Sequence, residues 1–469
     1  MVDRQRIHLI GVCGTAMATV AALLKQRGHE VRGSDQHVYP PMSDFLAREG
    51  IRIMSGYSAD HVTSDIDLVV VGNVISRGNP ELEAVLERKL RYCSLPEVVR
   101  EHFLWRARSI VLAGTHGKTT TTSLTGWLLT HAQRDPTMLV GGIALNFGVG
   151  GSSYRLGAGR ECVIEGDEYD SAYFDKTAKF LKYVPDIAVV GNVEFDHADI
   201  YADLDAVRLA FRRLVNLVPR NGLLLLGADS PDAAGLQTYA VSPVETFGTA
   251  EGATWQADAV HHGDGRTRFT VLREGELFGE FESPLFGMHN VRNALAAIAV
   301  GSQVGIGAET LAEGLQQFKG IKRRLETVGV RRGVTVLDDF AHHPTAVRET
   351  LAALRTGYPS RRIWAVFEPR SASSCRRVFQ RDFATAFGAA DEVVIAGVFR
   401  SSLPEAERLS AEELVADLRG SGQCARHLPD VDAIVRAIAA EHRDGDVVVL
   451  MSNGGFGGIH QRLLQALGG

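Results

Sequence analysis

Ser109-Ile-Val-Leu-Ala113 runs directly into Gly114-Thr-His-Gly-Lys-Thr-Thr120, so that a short apolar segment opens into a glycine-rich turn. The apolar residues predict a buried strand, and the stretch that the turn opens, through Leu124 and Leu128, predicts a helix. At such a junction, backbone amides and the helix dipole point at an anion, glycines let the backbone come close, and a lysine supplies charge. A hydroxyl after the lysine can hold Mg²⁺. The segment therefore predicts a site for the phosphates of a nucleoside triphosphate.

The turn differs from the standard phosphate-loop motif. That motif needs a glycine where this chain has Leu112, so the loop is two residues tighter. The alternative is a Gly/Thr-rich turn that carries a solvated lysine. Strand, turn, Gly-Lys-Thr and helix occur in the order that a phosphate site requires, and we therefore favour nucleotide binding.

Composition narrows the class of protein. The 469 residues suffice for about two to four domains, with 45% apolar and 23% charged residues. A net charge of −6 gives no basic footprint for nucleic acid, and no apolar run approaches the ~20 residues of a membrane span. The N-terminus lacks a signal-peptide apolar region, and the five cysteines have neither zinc nor redox spacing. We expect a cytoplasmic protein with reduced thiols and without a nucleic-acid, membrane or obligate protein partner.

Predicted strands and helices alternate along the whole chain, which indicates an α/β fold in three parts. Residues 1–107 predict a doubly wound domain, residues 108–322 a second α/β domain, and residues 323–469 a third. Arg273-Glu-Gly-Glu276 is flanked by two apolar runs and predicts a β-hairpin. The basic run Lys322-Arg-Arg324 is typical of a junction between domains.

A second turn of interest is Gly11-Val-Cys-Gly-Thr-Ala-Met17, which follows the first predicted strand, with Asp35 at the end of the second. It is similar to a dinucleotide fingerprint, but Cys13 replaces the middle glycine that allows close approach to a pyrophosphate. We favour a βα turn that binds some diphosphate ligand over an NAD site. A purely structural tight turn is the alternative.

Two acidic segments begin where apolar strands end, namely Glu165-Gly-Asp-Glu-Tyr-Asp170 and Asn192-Val-Glu-Phe-Asp-His-Ala-Asp199. The carboxyl ends of parallel strands lie beside the phosphate loop, where ligands bind. Carboxylates there can hold Mg²⁺, and the imidazole of His197 can complete the shell. Solvated loop acids are the alternative, but two such segments behind one phosphate loop favour a metal site.

A strand also runs into a helix at Val336-Leu-Asp-Asp-Phe-Ala-His-His-Pro-Thr345. The two carboxylates of this loop, Asp338 and Asp339, and its two imidazoles, His342 and His343, can hydrogen-bond a ribose or a phosphoryl group. A histidine in such a place is otherwise more often a contact at the helix N-terminus than a catalyst.

Together with Gly287-Met-His-Asn-Val-Arg-Asn293, these motifs resemble the Mur ligase family, ATP-dependent enzymes that join an amino acid or peptide to a UDP-muramyl precursor of the bacterial cell wall. The resemblance covers the whole chain. It implies a Rossmann-like domain for UDP-N-acetylmuramate at 1–107, a central P-loop-type ATPase domain at 108–322, and a Rossmann-like domain for the peptide at 323–469. An NAD-dependent oxidoreductase or a non-catalytic nucleotide-binding protein are the rival classes.

Several segments are similar to the family member that joins the tripeptide L-Ala-γ-D-Glu-meso-diaminopimelate to UDP-N-acetylmuramate in cell-wall peptide recycling. They include Val38-Tyr-Pro-Pro-Met-Ser43, Glu368-Pro-Arg-Ser371 and Met451-Ser-Asn-Gly-Gly-Phe-Gly-Gly458. The alternative is the member that adds L-alanine, which typically has Gln-Pro-His-Arg in place of Glu-Pro-Arg-Ser. Either reaction implies ATP, Mg²⁺ and an acyl-phosphate intermediate.

The resemblance also implies residue roles. The residues implied at the ATP site are Gly114, Thr115, His116, Gly117, Lys118, Thr119, Thr120, Asn290, Arg324 and Asp339. The implied Mg²⁺ ligands are Thr119, Glu165 and His197. The implied catalytic residues are Lys118, His197, His342 and His343. The implied substrate contacts are Gly14, Thr15 and Asp35 for the uridine diphosphate, and Arg370 and Asn453 for the carboxylate-rich tripeptide.

One departure from the family concerns a second metal ion. Several Mur ligases carry a carbamylated lysine after the metal-binding histidine. This chain has no lysine between Lys182 and Lys319, and Arg208, Arg212 and Arg213 occupy the expected helix. Because arginine cannot form that carbamate, we expect no carbamylated lysine here.

Overall fold

A computed structural model of the chain describes residues 4–39, 42–263, 265–399 and 403–468. The backbone forms two compact units. The first comprises Met1–Glu194, Asp205–Gln256 and Ala296–Gly314, and the second comprises Phe195–Leu204, Ala257–Leu295 and Leu315–Gly469. None of the described helices combines the length and the apolar character needed to cross a membrane. The domain limits 1–107, 108–322 and 323–469 stay a prediction.

The first unit begins with a parallel sheet in the strand order β3-β2-β1-β4-β5, which is the order of a doubly wound fold. Its strands are β1 (Arg6–Ile10), β2 (Glu30–Asp35), β3 (Arg52–Ser55), β4 (Leu68–Val71) and β5 (Tyr92–Ser94). Its helices are α1 (Thr15–Gln26), α2 (Met42–Arg48), α3 (Pro80–Glu87) and α4 (Leu95–Val99). The inner strand β4, between β1 and β5, is buried at every residue, as its apolar sequence predicts.

A second sheet of the first unit runs in the order β14-β13-β12-β6-β9-β7-β8. Its strands are β6 (Arg108–Ala113), β7 (Thr137–Ala144), β8 (Ser152–Arg155), β9 (Glu161–Gly166), β12 (Ile187–Val190), β13 (Leu223–Gly227) and β14 (Val244–Gly248), and a hairpin adds β10 (Asp170–Ala172) and β11 (Asp175–Ala178). The helices are α5 (Lys118–His131), α6 (Leu204–Val215) and α7 (Pro231–Gly235). Because β6 lies between β9 and β12, the glycine-rich turn after β6 is flanked by the ends of both neighbours.

The next strands are β15 (Trp255–Gly263), β16 (Arg266–Arg273) and β17 (Glu276–Ser283), followed by α8 (Met288–Gln303) and α9 (Ala308–Gln316). The predicted hairpin is confirmed, since β16 and β17 pair in antiparallel fashion. Its turn has only two residues, Glu274 with φ 53° and Gly275 with φ 83°. Two successive left-handed residues are typical of the tight turns that match the twist of paired strands.

The second unit ends with a sheet in the order β18-β19-β23-β20-β21-β22, parallel except for β18. Its strands are β18 (Glu326–Arg331), β19 (Val334–Asp339), β20 (Ile363–Phe367), β21 (Glu392–Ile395), β22 (Cys424–His427) and β23 (Val447–Met451). Its helices are α10 (Pro344–Gly357), α11 (Gln380–Ala384), α12 (Ala411–Gly420), α13 (Val431–Glu441) and α14 (Ile459–Gly468). Apolar clusters fill both faces of this sheet, and its inner strands β20 and β23 are apolar and buried at every residue.

The buried carboxylate of Asp446, directly before β23, accepts hydrogen bonds from residues at the start of β20. Asp446 is 1% exposed and accepts hydrogen bonds from Arg362 Nη2 (2.7 Å), Trp364 Nε1 (3.0 Å) and the Arg443 amide (2.9 Å). Burial would raise the pKa of Asp446, but these donors outweigh it and the pKa is lowered. We expect Asp446→Asn to lower the free energy of unfolding by about 3 kcal/mol at pH 7, because the Arg362 guanidinium loses the closer of its two carboxylate partners, Asp446 (2.7 Å) and Glu392 (3.6 Å).

The stabilisation by Asp446 should depend on pH with a definite sign. Because its pKa is lowered on folding, the contribution is complete above the unfolded value of about 3.9 and is lost as the pH falls through the folded value. Denaturant unfolding from pH 7 to about pH 3 measures the difference between wild type and variant, which should shrink below about pH 4. Asp417→Asn, at an exposed position of α12, is the control and should leave stability unchanged. A difference that is constant with pH would contradict the assignment.

Candidate active site

The glycine-rich turn lies between β6 and α5, as predicted. Gly114 has φ 137° and Gly117 has φ 80°, both in the range that favours glycine. A side chain at Gly114 would also come within 3.2 Å of the Asn192 backbone. Gly117 directly precedes α5, so the first amide groups of the helix face the turn. This geometry suits the binding of an anion.

Asn192, beyond the end of β12, holds the turn in place. Its Oδ1 accepts from the His116 amide (2.8 Å), and its Nδ2 donates to the His116 carbonyl (3.2 Å). The Thr115 amide donates to the Asn192 carbonyl (3.1 Å), and the Thr115 hydroxyl accepts from the Glu194 amide (2.9 Å). The second acidic segment therefore supports the loop through an amide side chain and its backbone.

Lys118 is the first residue of α5, and its side chain lies over the turn. Its Nζ donates to the carbonyls of Gly114 (2.8 Å) and Thr115 (3.2 Å) and to Glu168 Oε2 (2.8 Å). Burial alone would lower the pKa of Lys118, but the carboxylates of Glu168 and Asp167 outweigh it and the pKa is raised. The lysine is therefore a fixed positive charge at the turn.

Thr119 and Glu165 lie side by side, as the metal hypothesis requires. The Thr119 hydroxyl donates to Glu165 Oε1 (2.9 Å), while Glu165 Oε2 accepts from the Gly141 amide (2.7 Å). Burial, and next the charge of Asp167, raise the pKa of Glu165. A hydroxyl and a carboxylate in contact supply the hard oxygen donors that Mg²⁺ prefers.

In the first βα turn, Gly14 directly precedes α1, and the helix begins at Thr15. Asp35 at the end of β2 accepts from the amides of Cys13 (2.9 Å) and His37 (3.0 Å), so it joins two loops. Burial and the charge of Asp35 raise the pKa of Cys13 to about 11. The thiol is therefore protonated at neutral pH, as expected of a packed side chain rather than a nucleophile.

In the second unit, Asp339 ends β19 and is 5% exposed. It accepts from the amides of Leu325 (2.8 Å) and Ala341 (2.9 Å) and from the Thr350 hydroxyl (3.2 Å). Burial raises the pKa of Asp339, although the charge of Arg324 partly offsets this. The Arg324 guanidinium lies 5.1 Å from the centre of the Phe340 ring. Arg324 and Asp339 are thus neighbours.

Asn290 lies in the first turn of α8 and is 9% exposed. Its Nδ2 donates to the Phe286 carbonyl (2.7 Å), and its Oδ1 accepts from Asn293 Nδ2 (3.2 Å). Gly287, with φ 90°, sets the entry to this helix. The side-chain amide is therefore held in one orientation by its own segment.

His197, His342 and His343 share one neighbour, the buried Asp196. Burial would raise the pKa of Asp196, but the three histidines outweigh it and the pKa is lowered. His343 is 5% exposed, its Nδ1 accepts from the Thr345 amide (3.3 Å), and its Nε2 pairs with the Phe195 carbonyl (3.1 Å). Because both ring nitrogens of His343 contact backbone, the alternative of a helix N-terminal contact describes this residue.

Arg370 and the loop at Asn453 are adjacent. The Arg370 guanidinium lies 3.7 Å from the centre of the Phe399 ring and 3.5 Å from Glu368 Oε1. Any side chain at position 454 would collide with Arg370, so Gly454 is required for this approach. Within the described parts of the chain, buried Asn453 Oδ1 has no hydrogen-bond partner. These groups form a polar patch at the ends of β20 and β23.

Sequence reasoning missed two supporting residues. Glu168 is 1% exposed and pairs with Lys118, and only the repeated acids of its segment signalled a role. Arg323 was assigned to a junction, but its Nη2 donates to the carbonyls of Ser452 (2.5 Å) and Gly454 (2.7 Å). No local sequence pattern reveals these contacts of Arg323, because its partners Ser452 and Gly454 are about 130 residues away in sequence.

Comparisons with known proteins place the chain among relatives. The model described as Mur ligase family, catalytic domain matches residues 6–104, the Mur ligase middle domain matches 112–301, and the Mur ligase, glutamate ligase domain matches 323–454. A UDP-N-acetylmuramate–L-alanyl-gamma-D-glutamyl-meso-2,6-diaminoheptandioate ligase from Escherichia coli is 42% identical over 466 residues, 98% of each chain. A UDP-N-acetylmuramate–L-alanine ligase from Oleidesulfovibrio alaskensis is 37% identical over 450 residues, 96% of each chain.

A solved structure gives the same result. The crystal structure of a murein peptide ligase from Psychrobacter arcticus has a TM-score of 0.73 at 36% identity and covers 99% of both chains. The predicted α/β architecture and the predicted ligase class are therefore confirmed. Because a 42% identical relative spans nearly the whole length, this chain belongs to the Mur ligase family.

Proposed function

We propose that the protein is an ATP-dependent ligase that joins L-Ala-γ-D-Glu-meso-diaminopimelate to UDP-N-acetylmuramate in cell-wall peptide recycling. The observation that carries this choice of acceptor is the identity of 42% to the E. coli relative named for the tripeptide reaction, against 37% to a relative named for alanine. Ligation of L-alanine is the alternative function, since that relative also spans the chain.

The reaction has two steps. The γ-phosphoryl group of ATP passes to the lactyl carboxylate of UDP-N-acetylmuramate, which gives ADP and an acyl phosphate. The α-amine of the tripeptide attacks the acyl carbon and loses a proton, and phosphate leaves as the amide bond forms. Phosphoryl transfer needs positioning and charge neutralisation above all. Lys118 and the amides of the turn supply both at the β- and γ-phosphates.

Thr119 and Glu165 are the proposed ligands of Mg²⁺, which when bound would neutralise phosphate charge. Their contact of 2.9 Å and their oxygen donors support this assignment. His197 stays a proposed third ligand on the resemblance alone. His342 and His343 both stay proposed contacts of the transferring phosphoryl group on the resemblance; His342 Nδ1 pairs with the Phe340 carbonyl (2.9 Å), and both ring nitrogens of His343 contact backbone.

The remaining assignments concern the rest of the substrates. We propose that Asn290 contacts the adenine, that Arg324 contacts the phosphates or the ribose, and that Asp339 contacts the ribose. Gly14, Thr15 and Asp35 would bind the uridine diphosphate within residues 1–107. Arg370 and Asn453 would bind the tripeptide, and the unsatisfied Asn453 Oδ1 among the described residues supports this. An arginine fork suits a carboxylate.

A panel of acceptors tests the proposed function. With ATP, Mg²⁺ and UDP-N-acetylmuramate present, we expect ADP release with the tripeptide to exceed that with L-alanine by about 100-fold or more in kcat/KM, since an arginine–carboxylate contact is lost with alanine. Arg370→Lys should lower the rate with tripeptide but not the binding of ATP. Equal or greater activity with L-alanine would overturn the choice of acceptor.

The absence of a carbamylated lysine is a separate prediction. In α6, Arg208 pairs with Asp205 (2.7 Å) and Asp232 (2.6 Å), and Arg212 lies 4.2 Å from the centre of the Tyr239 ring. We expect activity to be independent of added bicarbonate and intact mass to match the unmodified chain. A carbamate on any residue of the central region, or activation by bicarbonate, would contradict this expectation.

A further inference from the structure

A cavity of about 960 Å³ lies in the first unit on the side away from the phosphate loop. Its walls include the first residues of four strands, two from each sheet of the first unit, namely Leu68 of β4, Tyr92 of β5, Thr137 of β7 and Glu161 of β9. The phosphate loop follows the opposite, carboxyl end of β6. At about 3.3 Å per residue, a six-residue strand separates the two ends by roughly 16 Å. The cavity is therefore distinct from the proposed ATP site.

Three arginines, Arg27, Arg91 and Arg106, line this cavity. Arg27 directly follows α1, and its guanidinium lies 5.1 Å from the centre of the Phe103 ring. Across residues 4–39, 42–263, 265–399 and 403–468, no carboxylate forms an ion pair with any of the three guanidinium groups, and no carbonyl accepts a hydrogen bond from them. Three guanidinium groups that form no ion pair within the described residues therefore line the cavity.

Two carboxylates also line the cavity, but both have partners elsewhere. Glu161 accepts from Arg134 Nη2 (2.7 Å), which does not line the cavity. Glu101 accepts from Trp105 Nε1 (3.2 Å) and lies 3.4 Å from the Arg100 guanidinium. These acids are therefore already neutralised by cations or donors outside the arginine group.

Among the described residues, the neighbours that affect the charge of Arg27 are Cys162 and Arg106. Burial lowers the pKa of Arg27, and the nearby Arg106 lowers it further. Burial raises the pKa of the neighbouring Cys162 to about 12, so this thiol is neutral. The rings of His29 and His102 are 4.6 Å apart, and burial together with His29 lowers the pKa of His102 to about 4, so this imidazole accepts no proton at neutral pH. The guanidinium groups of Arg27, Arg91 and Arg106 therefore lack a carboxylate partner among the described residues.

We propose that this cavity is a binding site for a small phosphorylated anion, held by Arg27, Arg91 and Arg106. The planar guanidinium fork matches phosphate oxygens in pairs, and a bound anion relieves the repulsion between Arg27 and Arg106. The volume accommodates a diphosphate with a substituent. The proposal does not rest on the ligase reaction, because no lining residue has a role in it.

Inorganic pyrophosphate, titrated into the full chain at constant ionic strength with KCl, tests the proposal. Trp105 lines the cavity and is 57% exposed, so its fluorescence reports locally. We expect a saturable change that Trp105→Phe removes. Arg27→Gln/Arg106→Gln should weaken binding by about 100-fold or more, since two charge-assisted contacts are lost. Arg91→Gln, at an exposed position, should weaken binding by about 10-fold and is a second variant of lower folding risk.

Controls distinguish this site from the phosphate loop. Arg52→Gln/Arg213→Gln removes the same charge at two exposed positions outside the cavity and should leave the titration unchanged. Lys118→Ala should also leave the Trp105 signal unchanged. Without pyrophosphate, the Arg27/Arg106 variant should unfold at the same or a higher temperature, because a repulsion is removed. Loss of the signal in Lys118→Ala, wild-type binding in the arginine variants, or no saturable signal in the wild type would overturn the proposal.

Discussion

Replacing Lys118 by Ala is expected to lower the rate of ADP release by about 10³-fold. The substitution removes the positive charge that we propose faces the phosphates. It also removes the ion-pair partner of Glu168, a carboxylate that is 1% exposed and lies beside the turn. Both effects oppose the approach of a polyanion. Initial rates at saturating ATP, together with ADP binding measured by calorimetry, check the prediction.

A double variant separates the two effects of the Lys118 substitution. In Lys118→Ala/Glu168→Gln the buried negative charge is absent, and we expect nucleotide affinity to recover by about 10-fold relative to Lys118→Ala while the rate stays low. Lys25→Ala is the matched control, because Lys25, in the N-terminal part of the chain, donates to no described group other than the Gly50 carbonyl (2.5 Å). A Lys118→Ala rate within a few-fold of the wild type would refute the role of this lysine.

Replacing Glu165 by Gln should raise the Mg²⁺ concentration for half-maximal activity by about 100-fold and lower the maximal rate. Glutamine keeps the size of the side chain and an oxygen that can accept from the Gly141 amide (2.7 Å). It loses the negative charge that attracts a divalent cation. The measurement is the rate as a function of Mg²⁺ at fixed, saturating ATP.

The control for Glu165 is Glu309→Gln, an exposed carboxylate in the first turn of α9. This variant should titrate with Mg²⁺ as the wild type does. Thr119→Val, which removes the neighbouring hydroxyl, should shift the Mg²⁺ requirement in the same direction as Glu165→Gln, by about 10-fold. An unchanged Mg²⁺ requirement in Glu165→Gln would show that the carboxylate supports the loop rather than a metal.

The phosphate turn could be predicted from the sequence because strand, glycines, lysine and helix are neighbours along the chain. Its glycines at 114 and 117 are fixed by local backbone angles, which the residue type itself signals. The acidic segments were also predictable, since each follows an apolar run. In both cases the residues that form the structural feature are close together in sequence, so a local pattern can predict it.

Other parts of the site depend on which strands pair. The position of β6 between β9 and β12 brings Asn192 and Glu168 to the turn, and no short-range pattern specifies that order. The contact of Arg323 with the loop after β23 has the same origin. The arginines of the cavity were overlooked for a related reason, because Arg27, Arg91 and Arg106 are scattered in sequence.

An ammonium group has three N–H bonds, and Lys118 already directs one hydrogen bond to each of three oxygens, those of Gly114, Thr115 and Glu168. An incoming phosphate must therefore replace one of these oxygens. Nucleotide affinity at this turn is then a difference between two sets of contacts. A weakly charged anion gains little from such an exchange, whereas a triphosphate gains more. Because a ligand must replace one of these hydrogen bonds of Lys118, the turn binds highly charged ligands in preference to weakly charged ones.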